Sequence, residues 1–432
     1  MIKRLTIWAT RLLAAGLAGL VVSNCTMLSL NYASLDTANK PDARPAIAVA
    51  DLADWRAQEE ALRQAFADHV YGPWPEGLAS RLVSRRVADA GYAGGRGQLE
   101  EWVIEVGEGE AARRFHLGVA LPAGDGPFPL VIGQTFAPNC YSFATMALTD
   151  PDGGACESGT TPFIFRYIFG EFIARVPVEA FLDRGFAYAS FYASEFVPDS
   201  RARAGPVLAG LKPDGGQAPT GTLAAWAYGY SAVIDLFDDE PRIDRDRIAL
   251  FGHSRHGKSA LIAAARDDRV AAVISHQSGF GGAALSRSTV GEGVARITAS
   301  YPHWFDPAYG EHAEDLGSLP VDQHQLLALI APRPVFLGNA RRDVWSDPNS
   351  TYRAAEAASE VWALFGSGGL EQSGLAHWRP DAALAYWLRN GGHGTDQRDI
   401  DAMLAFLDAH FAPRETVACG GETAAFPQAQ GC

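Results

Sequence analysis

From about residue 100 onward the chain alternates two kinds of apolar spacing. Short apolar runs at 102–106, 115–120, 128–133, 186–192, 248–251, 270–275, 335–338 and 383–388 have the length of buried strands. Between the later runs lie stretches with apolar residues at i, i+3 or i+4, at 223–237, 259–266, 352–365 and 399–411, and in the last of these Ile400, Met403, Leu404, Leu407 and Phe411 share one face. Residues 62–71 carry the same spacing ahead of the first strand. This alternation predicts an α/β fold, a three-layer sandwich whose mostly parallel sheet is covered by helices on both sides and binds ligands at the carboxyl ends of its strands. The stretch from Gly279 to about Pro332 is too long for a simple connection and contains Tyr301-Pro-His-Trp-Phe305, so it is expected to fold over those strand ends as an inserted part of a substrate cleft.

Ahead of this region the chain reads differently. Met1-Ile-Lys-Arg is followed by an apolar stretch at 12–22 that ends in Ser23-Asn24-Cys25, the pattern of a bacterial export signal too short to span a bilayer comfortably. Residues 26–50, polar with Ala and Pro, read as a tether to a domain at 51–412, and 413–432 as a tail. Five cysteines sharpen this. Cys140 and Cys156 bracket one loop and Cys419 and Cys432 another, so two disulfides formed in an oxidising compartment leave Cys25 unpaired, as an acylated lipoprotein cysteine would be. A poor cleavage site, with Asn24 before the cysteine, favours a plain cleaved signal instead. Export to the periplasm or the cell surface is expected on either reading, with membrane attachment through a lipidated Cys25 on the first.

The formal charge of -14 is spread over the chain without a basic run, which excludes nucleic acid or an anionic membrane surface as partner. An apolar content of 47% supplies a substantial core. A monomer is expected.

The chemistry gathers at Arg247-Ile-Ala-Leu-Phe-Gly-His-Ser254-Arg-His-Gly-Lys258, where an apolar strand runs into a serine and then into helix formers. Ser254 falls on the turn between them, the place of a nucleophile. Gly252 lies two before it, but Gly257 lies three after it, so the G-x-S-x-G spacing is broken by one residue. A serine nucleophile needs a histidine base, and the histidine needs a carboxylate to fix its tautomer. His393, in Asn390-Gly-Gly-His-Gly-Thr395 between the last strand and the last helix, suits the base, and the order Ser, acid, His is that of the α/β-hydrolases. His253 and His256 flank the serine and are expected to pack around the turn. His276, His303, His312, His324 and His377 are expected to be structural, with His303 beside Trp304 able to line the cleft. Asp343 is the first carboxylate after the 335–338 strand. Its rival Asp347 precedes Pro348, which suits a turn role.

Arg255 occupies the position whose backbone N–H helps bind an oxyanion, and its guanidinium offers a second, charged donor there. The competing reading is a salt bridge at the helix start. A cation at a helix N-terminus opposes the dipole, and Lys258 one turn later carries the same anomaly.

The stretch Gly252-His-Ser-Arg-His-Gly-Lys258 resembles the Gly-x-Ser-Arg-x-Gly-Lys signature of the glucuronoyl esterases, carbohydrate esterases of the α/β-hydrolase fold. Ser278-Gly-Phe-Gly-Gly-Ala-Ala-Leu-Ser-Arg287, Gly291-Glu292, Pro302-His-Trp-Phe305, Asp343-Val-Trp-Ser-Asp-Pro348 and Gly392-His393-Gly394 resemble bacterial members in the same order, over about residues 100–411. The resemblance implies hydrolysis of esters between glucuronic acid groups of xylan and lignin alcohols, with no metal or cofactor. It implies Ser254 as nucleophile, Arg255 as oxyanion-stabilising arginine, His393 as base, Lys258 and Glu292 as hydrogen-bonding partners of sugar hydroxyls, and Trp345 as an aromatic contact to the sugar.

The chain departs from the family at one place. Many members carry the acid in a Glu-Ser-Gly or Asp-Ser-Gly context after the 270–275 strand, where this chain has Gln277-Ser-Gly279. Other bacterial members supply an acid from the later loop, and Asp343 fits that place. Two further readings stay open: an esterase for acetyl groups on plant polysaccharide, and a carbohydrate-binding homologue that has lost catalysis, in which Asp343 would point away from His393. From the residues alone, Glu292 also has a bland role as a partner of Arg296 at i+4, and Trp345 as core.

Overall fold

The computed structural model describes residues 45–151, 153, 156 and 170–411. Among these residues one nine-stranded sheet forms, in the order β1-β2-β3-β5-β4-β6-β7-β8-β9. Its strands are β1 (Ser80–Gly91), β2 (Gly97–Val106), β3 (Arg113–Pro122), β4 (Phe128–Thr135), β5 (Ala187–Tyr192), β6 (Ile243–His253), β7 (Ala272–His276), β8 (Val335–Ala340) and β9 (Leu384–Arg389). Pairings from β1 to β5 are antiparallel, and those from β5 through β9 are parallel.

Each of the eight apolar runs became a strand. β1 carries no such run, because it is a largely exposed edge strand whose signal is charge. Arg81 and Arg86 face Glu105 and Glu101 of β2 directly across the ladder, and Arg85 Nε lies 2.7 Å from Glu100. Cross-strand ion pairs of this kind hold an edge in register and keep it from pairing with another chain.

Helices cover both faces. On one lie α1 (Leu52–Phe66), α3 (Thr222–Asp235), α4 (Arg255–Arg266), α5 (Gln323–Ala328) and α6 (Pro348–Leu364), whose buried residues join Leu130, Ile132, Leu250 and Leu337 in one core. On the other lie α2 (Val178–Leu182) and α7 (Gln397–Phe411), which pack with Val131, Ala249, Phe251, Ile274 and Phe336 in a second. Adjacent strand residues thus point into different cores, as the period of two requires, and both faces are apolar because both are covered.

Residues 45–50 are not free tether. Ile47 and Val49 pack on the first core, and the Pro45 carbonyl lies 2.9 Å from His324 Nε2, so the domain begins before the expected boundary at 51. Cys140 and Cys156 form the expected disulfide. The leader, Cys25, Cys419 and Cys432 lie outside the described residues. No helix among the described residues is long and apolar enough to cross a membrane.

Candidate active site

β6 lies inside the sheet between β4 and β7, and its carboxyl end delivers Ser254 onto the turn into α4. Ser254 has φ 55° and ψ -121°, a conformation that non-glycine residues resist. Three backbone bonds hold it there. Its N–H donates to the His276 carbonyl at 2.8 Å, and its own carbonyl accepts from Gly257 and Lys258 N–H at 2.9 and 3.2 Å. Strain of this sort persists only where the surroundings over-determine it.

The displaced glycine is explained by the same turn. A Cβ on Gly252 would lie 1.9 Å from the His256 carbonyl oxygen, so the helix backbone crosses directly over this glycine. A Cβ on Gly257 would lie 3.0 Å from the Gly252 oxygen and 3.1 Å from Ser275 Oγ. The close approach between strand and helix therefore falls at His256 and Gly257, and an elbow forms despite the extra residue.

His393 and Asp343 come from the loops after β9 and β8. His393 Nδ1 lies 2.7 Å from Asp343 Oδ2. Burial pushes the Asp343 carboxyl up, but the adjacent imidazole and hydrogen bonds from Ser346 pull it further down, so it lies below the usual carboxylate range. The His393 ring rests against that of His253, with centroids 4.8 Å apart, and His253 immediately precedes Ser254. Asp347 does something else. With φ 44° it caps α6, accepting the Ser350 N–H at 3.1 Å and a hydrogen bond from Ser288 Oγ.

Arg255 departs from expectation. Its guanidinium forms an ion pair with Asp199 Oδ2 and lies over the rings of Phe136 and Trp304, at 5.0 and 5.3 Å from their centroids. Asp199 Oδ1 accepts from Trp304 Nε1 at 2.8 Å and lies 2.8 Å from His303 Nε2. Burial holds the His303 imidazole below its ordinary pKa. The salt bridge set against the oxyanion role is thus present, and it reaches the loop that carries Asp199 rather than running along the helix start. Asp199 and Phe136 escaped notice in the sequence because each stands in a stretch without motif. Their partners lie 56 and more than 100 residues away.

Lys258 is buried, and its ammonium donates to the Ser278 carbonyl. Burial pulls its pKa down to about 8, with Glu292 and Asp343 pulling up and Arg255 pushing down. Burial raises Glu292, which Lys258, Arg296 and His393 partly offset. Lys258 and Glu292 thus each favour the charged form of the other. Glu292 N–H donates to the Trp345 carbonyl at 3.1 Å, which joins the last two predicted sugar contacts through their backbones. Arg296 turns to Trp345, its guanidinium 4.0 Å from the ring centroid.

Three of the other histidines pack against neighbouring rings or ion partners. His256 is buried against Phe136 and Trp226. His276 meets His253 at 2.8 Å and Asp399 at 3.3 Å, and His312 meets His69 at 3.1 Å.

A serine elbow at the carboxyl end of a central parallel strand, with a histidine and an aspartate delivered by later strand-end loops, defines the α/β-hydrolase class. The glucuronyl esterase model of fungi matches residues 180–366. A carbohydrate esterase, MZ0003, from an unknown prokaryotic organism is 32% identical over 82% of this chain and 84% of its own length. A 4-O-methyl-glucuronoyl methylesterase of Hypocrea jecorina is 36% identical over 34% of each chain. A promiscuous esterase of carbohydrate esterase family 15 from a marine bacterial metagenome superposes with a TM-score of 0.72 at 31% identity, over 86% of this chain and 97% of the other. The chain belongs to the glucuronoyl esterase family of carboxylic ester hydrolases.

Proposed function

We propose that the protein hydrolyses 4-O-methyl-glucuronoyl esters, of the kind that link xylan to lignin alcohols, through an acyl-enzyme on Ser254. The observation that carries this reading is the 2.7 Å contact between His393 and Asp343 beside the Ser254 elbow. Asp343 fixes the imidazole with Nδ1–H towards itself, leaving Nε2 as the basic nitrogen. His393 takes the Ser254 proton as Oγ attacks the ester carbonyl, and it returns that proton to the departing alcohol. Water then attacks the acyl-enzyme by the same route and releases the uronate. Backbone N–H groups at the start of α4, the Arg255 N–H first among them, face the developing oxyanion, with the Arg255 charge close by. Lys258, Glu292 and Trp345 hold the sugar, a few polar groups beside an aromatic face.

An Asp343 turned towards His393 speaks against the homologue that binds without turnover. The acetyl-esterase reading draws on the relative described as promiscuous. Purified protein should hydrolyse benzyl or methyl glucuronate faster than it deacetylates xylan, and Ser254→Ala should abolish both activities. Undiminished hydrolysis by Ser254→Ala would sink the mechanism, and faster deacetylation would reverse the substrate assignment. Export, with or without a lipid on Cys25, remains our reading of the leader, and mass spectrometry of the mature N-terminus tests it.

A further inference from the structure

His276 and Gln277, at the end of β7, touch every segment that carries a triad group. The His276 carbonyl accepts the Ser254 N–H at 2.8 Å. Gln277 N–H donates to Gly338 O at 2.7 Å, on the strand from which the Asp343 loop departs, and Gln277 O accepts from Ser346 Oγ at 3.3 Å, three residues past Asp343. The Gln277 side chain straddles His393: Oε1 accepts from Gly394 N–H at 2.7 Å, and Nε2 donates to Gly392 O at 3.3 Å.

Gln277 is 1% exposed and has φ 51°, so a polar side chain is buried on a backbone that non-glycine residues resist. The loop it grips needs gripping. His393 stands among Gly391, Gly392 and Gly394, which impose little conformational restriction of their own. A second brace comes from Arg389, held by Asp399 at 2.5 Å, whose Nη2 donates to Gly394 O at 2.6 Å.

We propose that Gln277 is a positioning residue for His393, clasping the peptide groups before and after the histidine while its own backbone ties that loop to the Asp343 loop. The inference rests on the reading of His393 as the base. The amide suits the task because the site demands a donor and an acceptor at once. A carboxylate would satisfy Gly394 N–H but set a negative charge against Gly392 O, and a thioether would satisfy neither. The position therefore holds the histidine in place while Asp343 supplies the carboxylate hydrogen-bonded to it. A displacement of about 1 Å in a reacting group costs on the order of 10²-fold in rate.

The test uses the whole protein with Gln277→Met and Gln277→Glu. Two rates are followed from about pH 5 to about 9, across the histidine range: labelling of Ser254 by a fluorophosphonate, which needs no sugar, and cleavage of benzyl glucuronate. His393 meets Asp343 from the β8 loop and His253 from β6, Glu292 of the inserted segment interacts with it through charge, and all three are unchanged in both variants. In Gln277→Met the labelling rate constant and kcat are expected to fall about 10²-fold with KM within about threefold. In Gln277→Glu both rates are expected to fall and the acid limb to move to higher pH, because a second carboxylate beside the imidazole favours its protonated form. Wild-type labelling by Gln277→Met overturns the proposal. So does a smaller labelled fraction that reacts at the wild-type rate, since that shows lost folding and not a misplaced base. Should Gln277→Met not fold, Gln277→Glu decides, and a wild-type rate and acid limb there overturn the idea. If the wild-type protein labels but leaves glucuronate esters intact, the substrate assignment fails while the labelling rates still judge Gln277.

Discussion

Asp343 and Asp347, four residues apart in one loop, have separate tasks: Asp343 Oδ2 lies 2.7 Å from His393 Nδ1, whereas Asp347 is turned into the start of α6. The division has a simple cause. Asp347 sits at a left-handed N-cap position ahead of Pro348, where its carboxylate meets free helix N–H groups, and Asp343 sits where the β8 loop passes the His393 loop.

Asp343→Asn is expected to lower kcat by about 10³- to 10⁴-fold with little change in KM, since an amide lets the imidazole take the wrong tautomer. Asp347→Ala is expected to keep most of the activity and to lose about 1 kcal/mol of stability from the lost cap. Steady-state kinetics on benzyl glucuronate with urea unfolding of both variants checks the pair. Equal kinetic losses would show that the assignment of tasks is wrong.

Arg255 and Asp199 act together. Arg255→Met is expected to lower kcat by about 10²- to 10³-fold, the usual cost of one lost oxyanion donor. Asp199→Ala frees the guanidinium and is expected to cost about tenfold, less than Arg255→Met. The double variant is then expected to be no worse than Arg255→Met alone, if the bonds of Asp199 to His303 and Trp304 leave the rate unchanged. Additive losses in this double-mutant cycle would give Asp199 an independent role.

The proposed contact of Lys258 with the sugar carries an expectation for alkaline pH. Burial brings its pKa down to about 8, so the ammonium is charged below that pH and loses its charge above it. KM for a glucuronate ester is expected to rise above about pH 8 in the wild-type protein. Lys258→Met should have a raised KM that stays flat through the same range. A wild-type KM independent of pH up to about 10 would remove the lysine from the sugar site.

Asp399 links the fold to acid stability. Burial opposes its charge, but His276 and Arg389 outweigh that and hold its pKa at about 2, against an ordinary value of about 3.9 in the unfolded chain. A carboxylate depressed in this way contributes stability above the unfolded value and loses it as pH falls through the folded one. The contribution is about 2 kcal/mol, present above about pH 4 and lost towards pH 2. The stability gap between wild type and Asp399→Asn should therefore narrow by about that amount over this window, as measured by urea unfolding. A constant gap would contradict it.

The sequence by itself determined the layered α/β body and the strand-to-helix turn that carries Ser254. Eight apolar runs announced eight strands, because strands buried on both faces must be apolar along their length, and Ser254 could be located because a strand, a tight turn and a helix leave a local signature. His393 and Asp343 were legible through chain order and loop position. Only the tertiary structure decided what depends on distance: the edge strand β1, whose charges need Glu100, Glu101 and Glu105 opposite them, and the Asp199 partner of Arg255. It also set Asp343 against His393 and Asp347 at the start of α6, and gave Gln277 its surroundings. In the sequence Gln277 is a missing acid. In the fold it is the amide that spans His393, because two loops distant along the chain meet at the end of β7 and the backbone polar groups buried there must be satisfied.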